Sequence, residues 1–89
     1  MKTVITVLGK DKPGIIAGIT HAVYLLNINI LDLSQTIMDG YFTMTMMVDH
    51  ANAVKSFDEA KAAIVAAGEP LGVEVRMQRV DIFDAMHKL

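Results

Sequence analysis

The dipeptide Asp39-Gly40 restricts the possible folds of this chain more than any other feature, because it lies between two runs of residues typical of β-strands. Both residues tolerate the positive φ angles that a two-residue hairpin turn requires. The runs Asn29 to Met38 and Tyr41 to Asp49 therefore predict an antiparallel hairpin. Alternation along each run predicts which side chains share a face: Leu31, Leu33 and Ile37 on the first strand, and Phe42, Met44, Met46 and Val48 on the buried face of the second.

Two helices are predicted on either side of this hairpin. Apolar residues recur at the spacing of an amphipathic helix from Ile15 to Leu26. Pro13 is predicted at the first helical position, where its missing N–H has no cost, and Asn27 is predicted to cap the helix end. The second helix is predicted to begin at the capping box Ser56-Phe57-Asp58-Glu59 and to end at Gly68.

The β-branched segment Lys2 to Leu8 and the alternating segment Val73 to Val80 are predicted as the first and last strands. The order β-α-β-β-α-β predicts an α+β fold of the ferredoxin-like type, a four-stranded antiparallel sheet with two helices on one face. Asp81 to Leu89 again places apolar residues at helical spacing. This segment predicts a short C-terminal helix that docks on its own domain or on a partner.

The composition limits both size and function. The 89 residues suit a single domain over 1–89, and the absence of cysteine excludes disulfides, iron–sulfur clusters and thiolate zinc sites. A net charge of −2 without a basic cluster argues against nucleic-acid binding. Because 53% of the residues are hydrophobic, a domain this small cannot bury them all, and we expect a homodimer.

No signal peptide or membrane span is predicted. The apolar start of the chain is followed at once by the charged residues Lys10, Asp11 and Lys12. Pro13 to Leu31 lacks formal charge over the length of a membrane span, but it contains several polar side chains and changes its hydrophobic period near Asn27. We therefore expect a cytoplasmic protein.

Two segments are candidates for ligand binding. The loop from Gly9 to Gly14 leads into a helix N-terminus, which favours a carboxylate or phosphate. Asp11 in this loop either caps the helix or binds the ammonium group of a ligand. Asn29 either binds a ligand through its amide or satisfies backbone groups of the turn. The three histidines are isolated in the sequence, so neither a metal site nor a cofactor is predicted.

These segments resemble a known family. Gly9-Lys10-Asp11-Lys12-Pro13-Gly14-Ile15-Ile16-Ala17, followed by Asn29-Ile30 and Asp32-Leu33, is similar to the D-[RK]-P-G-[IL]-[IV]-A…N-x-N-I pattern of ACT domains. The resemblance is to the ACT modules of glycine-cleavage regulators and formyltetrahydrofolate hydrolases. It extends over most of the chain, since the predicted βαββαβ order also agrees.

The resemblance implies a dimer with effector sites at the subunit interface. In family members that bind amino acids, the ligand lies between the loop before the first helix and the start of the second strand, often that of the neighbouring subunit. The corresponding positions here are Asp11, Lys12, Pro13, Gly14 and Ile15 on the loop, with Asn29 and Ile30 on the strand.

The leading hypothesis is a stand-alone regulatory module that senses an amino acid or a related metabolite at a homodimer interface. Because the chain carries neither the enzyme nor the DNA-binding domain to which such modules are usually fused, regulation would act in trans. The alternative is a protein–protein interaction module without a ligand. Catalysis is not expected, because the sequence offers no nucleophile–base pair and both arginines, Arg76 and Arg79, lie on the last strand rather than in the loop that an acylphosphatase uses.

Overall fold

A computed structural model describes residues 2–80 of the chain, and these form a four-stranded antiparallel sheet with two helices. The predicted C-terminal helix lies outside the described residues. The sheet order is β2-β3-β1-β4, so β2 and β4 are the edge strands. The elements are β1 (Lys2–Lys10), α1 (Ile15–Leu25), β2 (Asn29–Met38), β3 (Tyr41–Asp49), α2 (Phe57–Gly68) and β4 (Val73–Arg79).

The predicted βαββαβ order of the ferredoxin-like fold is confirmed, and one sheet face forms a core with the helices. The alternating positions predicted to point inward on β3 and β4 are all buried. Each helix contributes a buried stripe at helical spacing, and α1 and α2 also contact each other. The core is almost wholly aliphatic and thioether in character. Its largest fully buried members are Ile5, Ile15, Ile19, Met44, Met46, Ile64 and Met77.

The β2–β3 hairpin has the predicted bounds and turn. Asp39 and Gly40 both have positive φ, 52° and 78°, as a type I′ turn requires. The face predicted for β2 is only partly regular, because a β-bulge between Ile30 and Asp32 removes Leu31 from the pairing. Beyond the bulge, Leu33 pairs with the buried Met46 and Ile37 with the buried Phe42, which places Leu33 and Ile37 on the helix-covered face. All of β2 except Ile30 is exposed.

The first helix begins later than predicted and ends as predicted. Its N-cap is Gly14, in the left-handed conformation with φ 92°, so Pro13 precedes the helix instead of occupying its first position. At the other end Asn27 is left-handed, with φ 58°, and its N–H donates to the Tyr24 carbonyl while that of Ile28 donates to Val23. This is the Schellman arrangement, which satisfies carbonyl groups at a helix end.

The second helix confirms the predicted capping box. The Ser56 hydroxyl accepts the Glu59 N–H at 3.3 Å, and the Glu59 carboxylate accepts the Ser56 N–H at 3.5 Å. Gly68 is the last helical residue, but it is not left-handed; the positive φ after this helix belongs to Gly72. Gly68 is required there for its lack of a side chain, because a Cβ would lie 2.6 Å from Val75 Cγ2.

Within residues 2–80, no helix is long and apolar enough to span a membrane.

Candidate functional site

A shallow pocket of about 210 Å³ lies between the loop before α1 and the end of the β2–β3 hairpin. It contains four of the residues that the sequence singled out here: Asp11, Lys12 and Gly14 in the loop, and Ile15 at the first position of α1. Pro13, the fifth, is exposed in the same loop and does not line the pocket. The remaining lining comes from the first turn of the helix and from the hairpin strands: Ile16, Ala17, Gln35, Ile37 and Phe42.

The loop is held in place by contacts at both of its sides. The backbone N–H of Asp11 donates to the Gly40 carbonyl at 2.9 Å, which fastens the loop to the hairpin turn. Lys12 Nζ donates to the Pro70 carbonyl at 3.4 Å, a longer and exposed hydrogen bond to the turn after α2. The tight hairpin turn therefore brings the end of β2 beside the start of α1.

The start of α1 has no side-chain cap, although four N–H groups at a helix start lack helical partners. The interpretation of Asp11 as a helix cap is therefore wrong, since the N-cap is Gly14. The start of α2, in contrast, is capped by Ser56 and Glu59. An uncapped N-terminus leaves N–H donors and a partial positive charge available to an anion. Asp11 and Lys12 are both exposed beside it.

Asn29 and Ile30 lie at the other end of α1 from the loop. The helix has 11 residues, which corresponds to a length of about 16 Å. Within one chain the two halves of the predicted site therefore do not meet. Asn29 instead lines a polar depression of about 270 Å³. Its other lining residues are Tyr24, Asn27, Ile28, Asp49 and Asn52.

Asn29 and Ile30 also lie on opposite faces of the sheet. Ile30 pairs with the buried Val48, so it lies on the helix-covered face, where the pocket beside the loop is also found. Asn29 pairs with Asp49 on the open face. The pKa of Asp49 is held below its ordinary value, first because its carboxylate accepts the Ala51 N–H.

Five residues of the pocket were not predicted as site residues from the sequence: Ile16, Ala17, Gln35, Ile37 and Phe42. The predicted turn and strand alternation already placed Ile37 and Phe42 on known faces of adjacent strands. The missing information was the contact between the hairpin turn and the loop, which joins Asp11 to Gly40 across 29 positions of sequence. In the described part of the chain, no group of three or more histidine, aspartate or glutamate side chains is arranged to hold a metal ion.

Comparison with known proteins decides the family. The model of the ACT domain family matches residues 2–78. The chain belongs to the ACT domain family. A UPF0237 protein of Listeria monocytogenes serotype 4b (strain F2365) is 56% identical over 89 residues, which is 100% of both chains. The resemblance noted in the loop and at the start of β2 is thus confirmed over the whole domain.

Solved ACT domain structures agree with the observed fold. An ACT domain protein from Streptococcus pneumoniae is 42% identical, with a TM-score of 0.82 over 97% of each chain. A formyltetrahydrofolate deformylase from Pseudomonas syringae pv. tomato matches 88% of this chain and 27% of its own with a TM-score of 0.79. At 18% identity this likeness shows the fold alone. The ACT domain is a family of regulatory modules, and this chain is one of its members.

Proposed function

We propose that this ACT domain is a homodimeric sensor that binds an amino acid or a related small metabolite beside the start of α1. The observation that carries the proposal is the uncapped N-terminus of α1, which opens onto the pocket between the loop and the hairpin. Its free N–H groups suit a carboxylate. Asp11 offers a partner for an ammonium group, and Lys12 a second one for the carboxylate.

The edge strand β2 supports the dimer. Ten residues long and exposed over nearly all its length, it leaves backbone donors and acceptors available for pairing with a second strand. Pairing of two identical edges in an antiparallel sheet is symmetric about a two-fold axis perpendicular to the sheet. The start of β2 in one copy then lies against its end in the other, and the helices of both copies share one face.

This arrangement would bring together the two halves of the predicted site, which lie at opposite ends of α1 within one chain. The start of β2 in a second copy, with Asn29 and Ile30, would approach the end of β2, where Ile37 and the Asp11 loop line the pocket. Ile30 of the second copy would lie on the helix-covered face of the sheet, where the pocket is found. Asn29 of that copy would lie beside the pocket but on the open face of the sheet. A ligand that contacts both copies would stabilise the dimer, since it binds that state more tightly than the separate chains.

The competing function is a protein–protein interaction module without a ligand. Its support is a group of exposed apolar side chains at the far end of α1 and in the loop that follows β3, namely Tyr24, Leu25 and Val54. The Val54 N–H donates to the Leu26 carbonyl at 3.0 Å, which holds that loop beside the helix end. In either function the module would regulate a target protein rather than catalyse a reaction.

The test is thermal unfolding with a panel of amino acids, with light scattering on the same samples. A ligand of the native state at 100 times its Kd adds about 2.7 kcal/mol to the free energy of unfolding, which raises Tm by about 10 °C or more. Asp11→Asn should abolish the shift while the dimer persists. Asp58→Asn, an exposed aspartate in the first turn of α2, is the matched control. A dimer that no amino acid stabilises would favour the interaction module.

A further inference from the structure

The pocket beside α1 is divided between charged and apolar groups. Its charged side chains, Asp11 and Lys12, both come from the loop. Helix and hairpin contribute an amide, Gln35, and an otherwise apolar wall. The apolar lining is Ile15, Ile16, Ala17, Ile37 and Phe42.

Part of this apolar wall is left exposed by the chain itself. Ile15 and Phe42 are buried in the core and form its base, but Ile37 is 55% exposed and Ile16 is 36% exposed. The volume of about 210 Å³ is below the roughly 300–1,000 Å³ of pockets for drug-sized ligands, so the space suits a small metabolite. Replacing water beside this wall with apolar atoms of a ligand is favourable.

We infer that the effector is an α-amino acid with an aliphatic side chain, such as valine, leucine or isoleucine. The inference rests on the proposed function and specifies the ligand of that same site. The loop charges and the N–H groups of α1 complement the α-ammonium and α-carboxylate groups of the ligand. Its side chain then meets Ile16 and Ile37.

The same dimer would strengthen this preference. Ile30 lies on the pocket's face of the sheet, and antiparallel pairing of β2 would bring it from a second copy towards Ile37. A third aliphatic side chain would then cover the open side of the pocket. Each methylene group of the ligand buried in this way contributes about fourfold in affinity.

Isosteric pairs of ligands test the inference directly. Valine and threonine have nearly the same shape, as do leucine and asparagine, but the second member of each pair places a polar group against the wall. Titration calorimetry on the intact protein should show valine and leucine binding at least about tenfold more tightly than their partners. Threonine or asparagine binding as tightly as its isostere would overturn the aliphatic preference and leave the sensor function standing. Absence of binding by every amino acid would overturn both.

A pair of variants locates the preference on the wall. Ile37→Thr keeps a β-branched side chain on the exposed strand while adding a hydroxyl to the pocket, and should weaken leucine binding by about tenfold. Val54→Thr, at an exposed apolar residue of the loop after β3 and outside the pocket lining, should leave leucine affinity within twofold. Light scattering on both variants verifies that the oligomeric state is unchanged. Equal loss in the two variants would show that Ile37 does not contact the ligand.

Discussion

Thr3 Oγ1 and His50 Nδ1 share a buried hydrogen bond of 2.6 Å that joins β1 to the residue after β3. The imidazole ring also packs against Phe57 at the start of α2, with ring centroids 5.4 Å apart. Its Nε2 atom is buried and has no hydrogen-bond partner within residues 2–80. Burial lowers the pKa of His50 below its ordinary value of 6.5, because a charged imidazolium loses hydration there.

This pair predicts a fold that loses stability in mild acid. Because the folded-state pKa of His50 is lowered, the unfolded chain takes up a proton first. The contribution of the neutral ring to the free energy of unfolding is therefore fully present above pH 6.5. It is lost as the pH falls from 6.5 through the folded-state pKa, and the free energy of unfolding then decreases by at most about 1.4 kcal/mol per pH unit. Urea unfolding of His50→Gln should show a flatter dependence between pH 7.5 and 5. His21→Gln, at an exposed histidine, should keep the wild-type slope. Parallel curves for wild type and His50→Gln would contradict this prediction.

A methyl group added at Gly68, the last residue of α2, should destabilise the fold. A Cβ on Gly68 would lie 2.6 Å from Val75 Cγ2 and 3.2 Å from the Val73 carbonyl. Gly68→Ala must therefore displace the buried Val75 side chain or shift α2 away from β4, and should cost about 1–3 kcal/mol. Gly18→Ala is the comparison, since its Cβ meets only the end of the flexible Leu71 side chain, at 2.8 Å. Alanine also favours a helix by about 1 kcal/mol over glycine, so this variant should be neutral or more stable. Chemical denaturation measures both, and a stable Gly68→Ala would refute the packing argument.

The capping box should contribute measurably to stability. Ser56→Ala removes the acceptor of the Glu59 N–H and should lower the free energy of unfolding by about 1 kcal/mol. Ser34→Ala is the control, because it also removes a serine hydroxyl, but from an exposed position of β2 where the serine caps no helix. Equal stability of the two variants would mean that solvent replaces the cap without cost.

The proposed pairing of β2 edges predicts that a charge on this strand separates the subunits. Leu33→Lys places a charge on the exposed edge and should shift the protein towards monomer in light scattering, because burying an unpaired ammonium group is unfavourable. Val54→Lys is the control. Val54 lies in the loop after β3 and is 66% exposed, against 37% for Leu33, so the same change there should leave the dimer intact. Dissociation by Val54→Lys alone would move the interface to the far end of α1.

Local signals in the sequence determined the elements and several of their ends. Asp39-Gly40 determined the hairpin turn, Asn27 the end of α1 and Ser56 the start of α2, because each acts on its neighbours through φ preference or a short-range hydrogen bond. Alternation determined the buried faces of β3 and β4 for the same reason. The family motif in the loop before α1 was also readable directly.

Only the tertiary structure decided how these elements meet. The sheet order leaves β2 at an edge, and the Asp11–Gly40 hydrogen bond brings Ile37 beside the loop, whereas α1 keeps Asn29 at the other end. Pro13 falls outside the helix because Gly14, in a left-handed conformation, forms the cap. The sheet order and the position of Ile37 beside the loop depend on pairing between distant segments, whose free energy is spread over many contacts. No short stretch of sequence carries that information.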